Sequence, residues 1–172
     1  YYDKALALMV MVDPQTNFLG RDTAADVRRY QISFYNSFGC SVTGVDITPE
    51  YCETATALSR LAGLDDRTEF HCADAAAMPF PDDVFDLAWT QHVQMNIADK
   101  AALYREIRRV LKSQGRFVFH DILAGAGGDP HYPTHWAEQA SMSFLIQPED
   151  LRAMLESIGF QIIEWRDSTR VA

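Results

Sequence analysis

The sequence predicts an α/β fold built on a parallel sheet. Three observations carry this reading. From Cys40 onward, short apolar or β-branched runs alternate with helical stretches, the order that gives parallel strands joined by crossover helices. The run Ser41–Asp46 (SVTGVD) ends in a single carboxylate with a helix start directly behind it. Residues 98–112 carry the clearest helical stripe, formed by Leu103, Ile107, Val110 and Leu111.

Each element follows from its local signals. Residues 5–12 are apolar enough for a strand or a short helix, and residues 24–38 place Val27, Tyr30, Phe34 and Phe38 roughly on one helical side. Behind the strand at Ser41–Asp46, Thr48 is a predicted helix cap with Pro49 at the first helical position. That helix is expected to run to Ala62, with Tyr51, Ala55, Leu58 and Ala62 on one face and Gly63 as its stop. Thr68–Cys72 reads as a short strand, Pro79 to Asp83 as a turn, and residues 84–90 as a buried strand. Asp99 is placed to support the N-terminus of the 98–112 helix. Ser113-Gln114-Gly115 reads as a turn and residues 116–121 as the next strand. Residues 122–144 are irregular and rich in Gly, Pro, His and aromatics, which favours an ordered lid or pocket wall. A helix over 147–158, stopped by Gly159, and a last strand over 160–166 complete the reading.

Bulk properties narrow the function classes. The 172 residues suffice for one domain with a core, and the composition, 48% hydrophobic and 23% charged, is that of an ordinary globular protein. A net charge of −9 argues against nucleic acid as a partner, because phosphate binding needs a basic face. The basic cluster Arg105-Glu106-Ile107-Arg108-Arg109 reads as a solvated helix face. Cys40, Cys52 and Cys72 show neither zinc-ligand spacing nor a disulfide framework, so a reducing cytoplasm is the expected setting. No run reaches transmembrane length and no signal peptide is visible, although a chain beginning at Tyr1 rather than Met gives that absence little weight.

Asp46 is the first pointer to chemistry. An acidic residue at the C-terminal tip of a parallel strand is placed to accept hydrogen bonds from two vicinal hydroxyls, the pair that a ribose presents. The residue therefore points to a nucleoside-containing cofactor without saying which.

The segment from Phe38 through Ser41-Val42-Thr43-Gly44-Val45-Asp46 to Tyr51 resembles the second-strand motif of class I S-adenosylmethionine-dependent methyltransferases. So do Asp74 with Met78-Pro79-Phe80-Pro81-Asp82, the strand Phe85-Asp86-Leu87-Ala88-Trp89-Thr90, and the helix Tyr104 to Lys112 leading to Gly115-Arg116. The resemblance covers residues 38–166, and residues 38–172 are assigned to the methyltransferase domain, with residues 1–37 left unassigned. It implies a Rossmann-like, doubly wound, mostly parallel sheet. Gln91-His92-Val93-Gln94-Met95-Asn96-Ile97 and the loop from His131 to Trp136 are similar to the small-molecule branch, which includes sarcosine/dimethylglycine N-methyltransferases and quinone-biosynthesis C-methyltransferases.

The resemblance also implies roles. Asp46 would hold the ribose hydroxyls of S-adenosyl-L-methionine, and Ile47 would pack on the adenine. Asp74 would accept from the adenine amine, with the Ala75 N–H reaching a ring nitrogen. Thr90, Gln91 and His92 would lie beside the sulfonium. The acceptor would be a small molecule, an amine or a ring carbon. His92, His120 and His131 are the candidate bases, and Trp89, Tyr132 and Trp136 could face a methylated ammonium. No metal is expected: His131 and His135 have i, i+4 spacing, but Pro133 between them forbids the helix that would align them. Neither a membrane nor a nucleic-acid partner is expected, and a homodimer is compatible with the reading. Gly125-Ala126-Gly127-Gly128 lacks the helix that a phosphate loop needs and reads as a hinge.

Two family features are not evident. The glycine-rich loop after the first strand has no match, since only Gly20 and Gly39 precede Gly44, and the final antiparallel strand has no candidate after Ala172. Either the sequence joins stretches of a longer protein, or residues 1–37 replace the loop and impair cofactor binding. The second case would make the chain a pseudo-methyltransferase acting as a binding or scaffold protein. A nicotinamide-dependent enzyme is disfavoured, because its own glycine fingerprint is equally missing.

Overall fold

The structure, a computed structural model, describes residues 6–10 and 40–169. Five parallel strands form one sheet: β1 (Leu6–Val10), β2 (Ser41–Asp46), β3 (Thr68–Cys72), β4 (Phe85–Gln91) and β5 (Leu111–His120). Their order is β3-β2-β1-β4-β5. Three helices accompany them, α1 (Pro49–Leu61), α2 (Lys100–Val110) and α3 (Pro148–Ile158). The apolar stretch near the N-terminus is thus a strand, and it is the central one. The predicted glycine loop region and the helix proposed over 24–38 lie outside the described residues.

The strand order makes the sheet doubly wound. The chain moves outward from β1 through β2 to β3, then returns to pair β4 with the other edge of β1. Right-handed crossovers then put α1 and α2 on opposite faces. Burial of both faces shows in β2, where Val42 to Asp46 are all buried. Val45, Phe85, Ala88, Leu103, Tyr104, Ile107, Val110, Leu151 and Leu155 share one core cluster.

Local signals explain most boundaries. Asp99 caps α2 by accepting the Ala102 N–H at 2.9 Å. Gly63 and Gly159 adopt φ of +67° and +104°, the left-handed conformation that ends a helix at low cost for glycine. Thr48 stands at the cap position of α1, but its side chain makes no cap bond. Its own N–H donates instead to Asp46 Oδ1 at 2.7 Å.

Three expectations are corrected. The turn at Ser113-Gln114-Gly115 is part of β5, as a bulge: Phe85 pairs with Leu111 and Leu87 with Arg116, so residues 112–115 stand opposite Asp86 alone. Residues 160–166 are not a strand. Their apolar positions are satisfied by ring packing, with Phe160 5.6 Å from Phe117 and Trp165 5.6 Å from Phe119.

The basic cluster on α2 is not a solvated face. Arg105 is exposed, but Arg109 reaches across to the loop before β4. Its guanidinium donates to Glu106 at 2.6 and 2.8 Å, to Asp82 at 2.6 Å, and to the Phe80 and Met78 carbonyls at 2.8 and 3.2 Å. Glu106 also accepts the Met78 N–H at 2.7 Å. A planar fork fills this arrangement in a way that an ammonium would not. Arg109→Ala should therefore lower the unfolding free energy by about 2–4 kcal/mol, since it strips several charge-assisted bonds from a half-buried site. Arg105→Ala should change it by less than about 0.5 kcal/mol. Urea unfolding of the two variants checks the contrast.

Candidate active site

Parallel pairing brings the C-terminal tips of all five strands to one edge, where open α/β sheets bind ligands at the point of strand-order reversal. Here that point lies between β1 and β4. Asp46 is the last residue of β2, Asp74 lies two residues beyond β3, Thr90 and Gln91 end β4, and His120 ends β5. Eight of the nine predicted site residues therefore fall on this edge: Asp46, Ile47, Asp74, Ala75, Thr90, Gln91, His92 and His120. His131 does not. It is exposed in the long loop, and among the described residues no hydrogen bond or ring contact joins it to His92 or His120.

The β2 tip has a mixed character. Asp46 is 2% exposed, while the next residue, Ile47, is 57% exposed. A buried carboxylate beside an open apolar side chain is a fitting surface for a ribose next to a purine. The Asp46 carbonyl accepts the Ala73 N–H at 2.9 Å, which ties the β2 and β3 tips together. Asp74 is exposed and folds back on its own turn, accepting the Ala76 N–H at 2.8 Å. Ala75 behind it is buried. These residues fit a nucleoside group. Among the described residues, no group of three or more His, Cys, Asp or Glu side chains converges. An open groove of about 420 Å³ runs along α1 and β3, lined by Pro49, Cys52, Thr56, Phe70 and Cys72 among others. It reaches the end of β3 at Cys72 and the start of α1 at Pro49.

The chain leaves β4 through a left-handed residue. His92 has φ of +54°, a conformation uncommon for non-glycine residues; Asp83, at +57°, shares it. Its N–H donates to the His120 carbonyl at 2.9 Å, extending the ladder by one bond. The two imidazoles lie 5.3 Å apart, tilted by 36°. Desolvation, aided by the nearby His120, holds the His92 pKa below the ordinary histidine range. His92 is therefore predominantly neutral at pH 7.

Behind this tip lies a polar cluster that the sequence reading did not single out. The Asp121 carboxylate accepts the N–H groups of Val93 and Gln94 at 2.7 and 3.2 Å. Lys100, 6% exposed, donates to the Gln94 and Ile97 carbonyls at 2.6 and 2.8 Å. Burial pushes Asp121 up to about 6 and Lys100 down to about 8. The turn thus braced carries the aromatic loop on its other side. Asn96 donates to the Trp136 carbonyl at 2.6 Å, and the Phe144 N–H donates to the Met95 carbonyl at 2.8 Å. The Trp136 indole N–H is itself satisfied by Ser143 at 2.9 Å. These bonds dock the loop on the turn after β4. The only sequence signals for the cluster were an acidic residue closing a strand and a lysine opening a helix, and both are common.

Comparison with known proteins decides the family. The model of the methyltransferase domain family matches residues 28–119. The chain belongs to the class I S-adenosylmethionine-dependent methyltransferases. A sterol 4-C-methyltransferase of Caenorhabditis elegans is 32% identical over 74% of the chain and 40% of that protein. A sarcosine/dimethylglycine N-methyltransferase of Halorhodospira halochloris is 26% identical over 78% of the chain and 48% of that protein. The fold matches phosphoethanolamine N-methyltransferase 2 of Haemonchus contortus, solved with S-adenosyl-L-methionine, at a TM-score of 0.77 and 20% identity, over 98% of the chain and 36% of that structure. The chain thus spans less than half the length of these relatives. Among the described residues, no helix is long and apolar enough to cross a membrane.

The histidine pair yields a prediction with a definite sign. A histidine whose folded pKa lies below its unfolded value costs stability as pH falls through about 6.5 toward the folded pKa, because the unfolded chain binds the proton more readily. Removing the neighbouring imidazole, which opposes protonation of His92, should raise the His92 pKa. NMR titration of the imidazole Cε1–H signals should show His92 below the free value in the native protein and closer to it in His120→Gln.

Proposed function

We propose that the protein transfers the methyl group of S-adenosyl-L-methionine to a small-molecule acceptor, an amine or a ring carbon, by in-line displacement. The observation that carries this is the β2 tip, where the buried Asp46 carboxylate stands beside the open Ile47 side chain, one strand from the strand-order reversal between β1 and β4. When bound, the cofactor supplies an activated methyl on a sulfonium. The chain's residues then have three tasks. Asp46, Ile47 and the Asp74-Ala75 turn hold the nucleoside end. Thr90 and Gln91 place the reacting end at the β4 tip. The aromatic loop over 131–144 shields the acceptor from water, so that nucleophile and methyl carbon meet in line.

An amine acceptor must present a free lone pair. His92, kept neutral at pH 7 by desolvation and by His120, is suited to take its proton. Of the three histidines the sequence suggests, His92 and His120 share this edge; His131 is better suited to acceptor contact from the loop. The relatives' acceptors, a sterol and small N-methylated amino acids by their names, bracket the chemistry. Three free thiols fit a reducing compartment.

A second reading rests on one observation. Only Gly20 and Gly39 precede Gly44, so the glycine-rich loop of the family has no counterpart in the sequence. On that reading the chain is a pseudo-methyltransferase that binds or scaffolds. Calorimetric titration with S-adenosyl-L-methionine separates the two. Binding, followed by methyl transfer to one of glycine, sarcosine, dimethylglycine or a quinone precursor, supports the enzyme. No heat and no thermal shift at millimolar cofactor supports the scaffold. Asp46→Ala should weaken cofactor binding by about 10- to 100-fold, the loss of one or two hydrogen bonds to a charged acceptor. Unchanged affinity would remove Asp46 from the site.

A further inference from the structure

The turn after β4 is braced at both of its polar ends, and the brace reaches the reactive edge. Asp121 accepts the first two N–H groups of the turn, from Val93 and Gln94. Lys100 donates to the carbonyls of Gln94 and Ile97 at its far end. A negative group at the N–H end and a positive one at the carbonyl end match the dipole of the short helical turn Gln94–Asn96. The residue immediately before Val93 is His92, in its left-handed conformation. Asp121 immediately follows His120, whose carbonyl accepts the His92 N–H. One carboxylate therefore stands between the two halves of the histidine pair, bonded to the chain that carries one and adjacent in sequence to the other.

We propose that Asp121 is a positioning residue for methyl transfer, whose carboxylate locks the β4 turn so that the His92 imidazole is held against His120 on the acceptor side of the site. This rests on the methyltransferase reading of that edge. The position is more than a structural plug. Asp121 Oδ2 and the Tyr104 hydroxyl are buried without a hydrogen-bond partner among the described residues. A buried carboxylate oxygen left without a partner costs stability. A chain selected for stability alone would place a smaller neutral acceptor here. The charged groups that face Asp121 are Lys100, from α2, which favours its ionised form, and Tyr104, also from α2, whose own ionisation Asp121 opposes. His92 faces His120 across the strand tips.

The test is made on the full chain with Asp121→Ala and Asp121→Asn. Asparagine keeps an oxygen that can accept both N–H groups; alanine does not. Two readouts are combined: the Cε1–H spectrum and titration of His92, and cofactor affinity by calorimetry beside kcat and KM for whichever acceptor turns over. In Asp121→Ala, the His92 signal should move and its titration should approach that of a free histidine. Cofactor affinity should stay within about threefold, while kcat falls roughly tenfold or more, the expected result of losing alignment rather than binding. Asp121→Asn should restore the His92 signal and most of kcat. If the alanine variant does not fold, Asp121→Ser, too short to span both N–H groups, is read in the same way. A His92 signal and titration unchanged in Asp121→Ala or Asp121→Ser would overturn the proposal, as would a loss of kcat that asparagine fails to rescue. If the native protein binds no cofactor, the methyltransferase reading fails by itself, and the histidine spectrum still decides whether Asp121 positions His92.

Discussion

The pairing of β1 on both of its edges is the constraint from which the site follows. A strand that accepts parallel neighbours on either side forces the chain to leave in one direction and return in the other. The return opens a crevice at the C-terminal edge, because the connections beyond β2 and β4 diverge. Every candidate residue except His131 lies at that edge by ending a strand or by following one closely. None needs a long flexible approach. The carboxylate of Asp46 and the ring of His92 stand on different strands on either side of β1, and their relative placement is as rigid as the ladder that joins them.

The two sides of the crevice are supported differently. On the β2 side, the side-chain support is local and the backbone support is not: the Asp46 carboxylate accepts the N–H of Thr48, two residues on, while its carbonyl accepts from Ala73, 27 residues away. On the β4 side, all the named support is distant. Val93 and Gln94 depend on Asp121, 28 and 27 residues away, and Asn96 on the Trp136 carbonyl, 40 residues away. On the proposed reading, the carboxylate at the nucleoside end is held from its own helix start, whereas the acceptor end requires β5 and the aromatic loop to be in place. This division suits a family in which the cofactor is constant and the acceptor varies, since loop changes can alter one end without disturbing the other.

The same division explains what was legible in the sequence. Ser41–Asp46 and Pro49 announced a strand and a helix by their own residue types, and Asp46 stood out because its strand placed it. Leu103, Ile107 and Val110 revealed α2 by their spacing. Arg109 reads only as part of a solvated basic face, and Asp121 only as the close of a strand, because their partners lie far along the chain. Lys100 carries no distinguishing signal, and only the fold shows it folded inward onto two carbonyls. Phe160 to Arg166 failed in the opposite sense. Its alternation was real, but it served ring contacts with Phe117 and Phe119 rather than a ladder. Periodicity reports which side chains are buried, and it is silent on what buries them.

The strain at His92 shows how the distant support does its work. A non-glycine residue in the left-handed region costs on the order of 1–3 kcal/mol. Two N–H bonds to a carboxylate, each worth about 1.5–3 kcal/mol, offset that cost with margin. Glycine at this position would remove the strain and the need for part of the brace. It would also remove the imidazole that follows β4 and the ring contact with His120. The chain instead keeps a histidine in the left-handed region, directly before a turn held by a partly buried aspartate and a buried lysine. On the proposed reading, this arrangement fits an edge where the direction of a single side chain matters to the chemistry.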